Sequence, residues 1–135
     1  MKINLARLLI GAVFIMNVQC AVFFLARPGS FAPGFELSGR VGEAALRGMG
    51  VLFLMWNVPY AVALWNPFRQ HTALLEAVAM QAIGLGGELF VRSQLPAVNA
   101  LARLSLGRFI LFDALGLVAL LTATWLAGVW RLSRY

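Results

Sequence analysis

Leu104 to Trp130 reads LSLGRFILFDALGLVALLTATWLAGVW, an apolar run interrupted by one arginine near its start, Arg108, and one acid inside it, Asp113. At about 1.5 Å of rise per residue, roughly 20 residues cross a hydrocarbon core of about 30 Å, so this stretch is long enough to span. No backbone group finds water in hydrocarbon, which leaves a helix as the only conformation open to it. Three more runs of the same kind precede it, about Asn4 to Ala26, Leu46 to Trp65 and Ala73 to Val91, bounded by Arg, Pro and Gly. Asn66-Pro67 ends the second, since proline removes a helical donor and pushes its predecessor out of the α region. Thr72 is placed to cap the third. The expected fold is all-α: an integral membrane four-helix bundle with short connections and both termini on the same side. One transmembrane domain covers 1–135, and 27–45 forms an interfacial loop with Phe31 and Phe35 as interfacial aromatics.

Composition supports this frame. Hydrophobic residues make up 61% of the chain, charged residues only 12%, and the mean hydropathy is +0.84, far from a soluble domain with about a quarter of its residues charged. The net charge of +6 comes from basic residues spread over the connections and ends, not from a run that binds nucleic acid, so they read as interfacial anchors. They are too evenly shared between the two faces to orient the chain strongly; cytoplasmic termini are the expectation. Leu8 to Ala26 exceeds the usual apolar core of a signal peptide and contains Asn17 and Gln19, so it is expected to stay as a span. The single cysteine, Cys20, allows no internal disulfide, and the single histidine, His71, allows no bis-histidine haem or histidine metal site within one chain. No metal or other cofactor is implied, and no catalytic constellation is visible.

Converting position into depth produces two polar layers. Asn17, Asn57 and Gln81 fall near the middle of the first three spans, with Tyr60 and Pro59 beside them. Pro59 frees the carbonyl of Met55, which an amide or Tyr60 can satisfy. Such amides most often join helices; the functional alternative is a small polar pocket at the midplane. Gly116 lies at similar depth and admits close approach.

The second layer is charged. Arg47, Glu88 and Arg108 share one leaflet, with Asp113 about 7.5 Å deeper than Arg108. Five residues separate Arg108 from Asp113, about 140° of helical rotation, so they face apart and Glu88 is expected to pair with Arg47 or Arg108. A charged group at bilayer depth costs at least about 2.5 kcal/mol on insertion scales, so each acid calls for a partner, a proton or a water-filled cavity. In the third span, Ala77, Gln81, Gly84 and Glu88 follow helical spacing and form one inward face. On the opposite leaflet Arg7 and Glu76 stand at similar depth and are expected to pair.

The opening ARLLIGAVFIM, with Arg7 one turn before Gly11 and Phe14 after it, resembles the first span of DoxX-like proteins, small four-helix membrane proteins. That resemblance covers the first span and the general layout, and it carries over Arg7 alone, as a structural residue. Asn17 and Gln19 stand where a lysine is expected soon after the first-span glycine. It implies a bacterial plasma membrane setting and a link to quinone-associated oxidoreductase systems or chaperone-like roles.

Three functions fit these residues. The leading expectation is a non-catalytic subunit or assembly partner of a larger membrane complex, favoured by short loops and the lack of catalytic groups. The second is a proton- or quinone-linked accessory using Asp113 and Glu88, and the third a homodimeric small transporter or channel. The expected associates are the lipid bilayer and a membrane-protein partner or second copy, with quinone or lipid as the possible ligand and no nucleic acid.

Overall fold

The structure, a computed structural model, describes residues 1–129. Among them the backbone forms α1 (Lys2–Ala26), a one-turn helix α2 (Pro28–Phe31) running into a 3-10 turn (Ala32–Phe35), then α3 (Gly39–Trp65), α4 (His71–Gln94) and α5 (Ala100–Ala127). The four long helices are each apolar enough to cross a membrane. The protein is a small integral, multi-pass membrane protein.

The helices form a four-membered ring. α1 packs against α3 and α5, and α4 packs against the same two, so α1 and α4 are diagonal. Short connections at 66–70 and 95–99, and the folded turn at 27–38, make consecutive spans antiparallel. Lys2 shares a surface groove with Trp125 to Gly128, which puts the start of α1 and the end of α5 at the same end of the bundle.

The two ends of the bundle are packed differently. At the end bearing the start of α1 and the end of α5, small and branched residues interlock: Ala6, Ile10 and Val13 of α1, Ala63 of α3, Leu74 and Ala77 of α4, and Leu120 and Ala123 of α5 are all buried. Small residues let helix backbones approach, which in lipid replaces the hydrophobic drive that water would supply. At the other end the filling is aromatic. The ring of Phe24 lies 5.6 to 6.2 Å from those of Phe31, Phe35, Phe53 and Phe109, within the range of favourable aromatic pairs. Outward-facing Leu8, Ile15, Val58, Leu115, Val118 and Trp125 are exposed and match a lipid surrounding.

Several boundaries differ from the sequence reading, each for a local reason. The segment 27–45 is not an open interfacial loop: Pro28 starts a helical turn, Phe31 and Phe35 turn inward onto Phe24, and α3 begins at Gly39. The chain reverses at Glu36, whose φ of 58° is left-handed. Glu36 is held there because its carboxylate accepts hydrogen bonds from the Asn99 side chain and from the backbone N–H of Leu101 at 3.2 Å, at the start of α5. Ser105 adds a bond from its hydroxyl to the carbonyl of Gly34, 2.6 Å. The turn is therefore tied down over the aromatic end of the bundle. α4 starts at His71, so Thr72 lies inside its first turn and does not cap it. Arg92 remains helical, and the guanidinium of Arg103 reaches the free carbonyls of Arg92 and Leu95 at 3.2 and 2.6 Å, a cation where the helix dipole is negative. Gly128, with φ of 72°, stops α5 at Ala127. Trp130, Arg131 and Arg134, read as the end and anchors of the fourth span, lie outside the described residues.

Candidate functional site

The polar residues of three helices meet in one hydrogen-bonded chain. Tyr60 of α3 donates its hydroxyl to Oε1 of Gln81 on α4, 2.5 Å, and Nε2 of Gln81 donates to Oδ1 of Asp113 on α5, 2.9 Å, and to the Asp113 backbone carbonyl, 3.3 Å. Tyr60 and Gln81 are buried. Both functions of the Gln81 amide are engaged, so its orientation is fixed by its neighbours.

Two glycines make room for this chain. A Cβ on Gly116 would stand 2.5 Å from Gln81 Nε2, and one on Gly84 would stand 2.8 Å from Asp113 Oδ2. Side chains at these positions would displace the groups that the chain joins.

Above it, toward the aromatic end, lies a cavity of about 540 Å³ enclosed by the four long helices. Its wall is mostly apolar, with Met49, Phe53, Met80, Phe109 and Phe112 among the lining residues and Tyr60, Gln81 and Asp113 as its polar floor. Leu52 and Trp56 of α3 and Ile83 and Gly87 of α4 line it and are also exposed on the bundle surface, so it opens sideways between these two helices, toward lipid. Cavities of 300 to 1,000 Å³ with a few convergent polar groups are typical small-molecule sites, a range of about this size.

The charged layer and the amide layer are thus one site, whereas the sequence reading kept them apart and left Asp113 without a partner. The remaining expected contacts resolve differently. Asn17 and Asn57 both line the cavity, but neither bonds to the other or to Gln81 among the described residues. Asn57 donates Nδ2 to the carbonyl of Phe53, 2.6 Å, and its Oδ1 is buried without a partner. Neither it nor Tyr60 serves the Met55 carbonyl. Arg47 pairs with Glu43, one turn earlier on α3, at 3.4 Å, and this is the one ion pair among the described residues. Glu88 therefore has no salt bridge to Arg47 or Arg108; it lines the cavity with Oε2 buried and unpartnered, while Arg108 lies on the cavity rim and is exposed. Glu43 was overlooked because 27–45 was read as loop; once Gly39 starts the helix, Glu43 and Arg47 have i, i+4 spacing. Arg7 does not pair with Glu76 either. Its guanidinium donates to the backbone carbonyl of Trp65, which the break at Asn66-Pro67 leaves without a helical donor, and Glu76 is exposed.

The apolar lining was the part not singled out in the sequence. Met49, Phe53, Asn57 and Tyr60 follow i, i+4, i+8, i+11 spacing, a readable face, but such stripes are ordinary core in most helices.

Fold and site together define a four-helix membrane protein with a polar-floored cavity open to the bilayer. No protein-family profile, curated protein or solved structure matches the chain.

Proposed function

We propose that this protein is a non-catalytic membrane component that takes a single amphiphile from the bilayer and holds it in the cavity between its helices. The observation that carries the reading is the combination of lateral opening, apolar wall and polar floor. A helical subunit that only packs against partners has no use for a cavity of about 540 Å³ beside a carboxylate. In this role the chain is an accessory to a larger membrane assembly, and a quinone- or lipid-type molecule is the ligand class. The polar side chains of the cavity orient the ligand's head and the apolar wall takes its tail. An acid at membrane depth is costly, and a role in holding the ligand is a reason to keep it there.

Gly87 offers a clean test, because a Cβ there meets nothing within 4 Å although the residue lines the opening. Gly87→Phe puts a ring into the entrance without touching the hydrogen-bonded chain. Native mass spectrometry of protein released from nanodiscs should show one retained amphiphile on the unaltered chain and at least about tenfold less on Gly87→Phe, a loss of about 1.4 kcal/mol in binding. Equal retention by both would refute the proposal.

A further inference from the structure

A buried acceptor facing the cavity lacks a partner, and it specifies the ligand's head; this deepens the ligand-binding reading and rests on it. Asn57 is 3% exposed and lines the cavity. Its amide cannot be turned around: Nδ2 is committed to the Phe53 carbonyl at 2.6 Å, which only a donor can meet, so Oδ1 is left as a buried acceptor without a partner. On the facing helix α4, Glu88 presents a second buried and unpartnered oxygen, Oε2, in the same cavity. Of the cavity's donors, those on its buried floor are already used, and the side chains of Asn17 and Arg108, which also line it, are not buried. The Tyr60 hydroxyl goes to Gln81, and the Gln81 amide goes to Asp113.

A buried acceptor left alone is costly, and a ligand that supplies a donor recovers that cost while one that brings another acceptor does not. We infer that the cavity selects amphiphiles whose head carries a hydroxyl of the alcohol or phenol type, which donates its one hydrogen to Asn57 Oδ1. The aromatic wall, with Phe53, Trp56, Phe109 and Phe112, suits a flat phenolic head as well as an isoprenoid or alkyl tail.

The test uses two probes that differ only in the capping of one oxygen, 4-decylphenol and 4-decylanisole, titrated into the full chain in nanodiscs and followed by native mass spectrometry. The phenol should bind at least about tenfold more tightly than the methyl ether. Asn57→Leu should reduce that preference to about twofold or less, through weaker binding of the phenol. Asn57→Ala serves as the second variant should Asn57→Leu fail to fold, with the same expected loss of preference. Equal binding of phenol and ether by the unaltered chain overturns the head selectivity but leaves the cavity as a ligand site. Binding of neither probe overturns both readings.

Discussion

Gln81 is the residue on which most of the site depends, since its amide joins α3 to α5 through α4. Its position requires Gly116, and this coupling is measurable. Gly116→Ala places a methyl 2.5 Å from Gln81 Nε2 and 3.4 Å from Val13, so the amide must move and both of its partners lose a bond. The expected destabilisation is about 1 to 3 kcal/mol by reversible unfolding in detergent, the usual range for overpacking and for orphaned polar groups. Gln81→Ala removes the obstacle together with the bonds, so the double variant Gly116→Ala/Gln81→Ala should be no less stable than Gln81→Ala alone. A strictly additive double variant would mean that the glycine and the amide do not interact. At this scale the sequence was informative about identity and poor about partners. Asn17, Asn57, Tyr60, Gln81, Glu88 and Asp113 all line the cavity, since polar residues in an apolar run are conspicuous. Which atom meets which depends on side-chain reach and helix rotation. A depth count at fixed rise ignores both, which is why Asp113 was assigned to a separate layer from Gln81.

At the scale of elements, the turn between α1 and α3 governs how the aromatic end of the bundle closes. Glu36 anchors it by accepting from Asn99 and from the Leu101 backbone, supplying the first turn of α5 with the acceptor that its N-terminal N–H groups lack. Glu36→Ala should cost about 1 kcal/mol, the usual value of a lost helix cap, and should raise amide hydrogen exchange in 28–38 and in 100–104 together. A rise confined to one of these segments would show that Glu36 does not link them. Glu36→Gly relieves the left-handed backbone but removes the same carboxylate, so exchange should rise there too. Helix existence was legible from apolar runs, whereas this turn was not. Pro28, Pro33 and Gly34 signal irregular backbone in any loop, and nothing local to Glu36 identifies a partner 65 residues later. The end of α5 was legible in principle, because Gly128 is a recognised stop at the end of a helical pattern.

For the whole molecule, the two ends of the bundle divide the work. The tightly packed small residues near the start of α1 and the end of α5 hold the four helices together, and the aromatic end, closed by the turn at 28–35, leaves space above the polar chain. The number of spans follows from hydropathy alone, because the bilayer allows few alternatives. A cavity does not follow from hydropathy: Met49 and Phe53 read the same whether they touch a neighbouring helix or face a space.

The central claim is that the bundle admits an amphiphile between α3 and α4. A fatty alcohol bearing a diazirine near its hydroxyl, activated in nanodiscs containing the protein and mapped by peptide mass spectrometry, tests it most directly. Labels should concentrate on the cavity residues Phe53, Met80, Gly84 and Phe112, and should fall at least about tenfold there in Gly87→Phe. Labels restricted to the outward-facing Leu8, Ile15, Val58 and Leu115, with none in the cavity, would contradict the account.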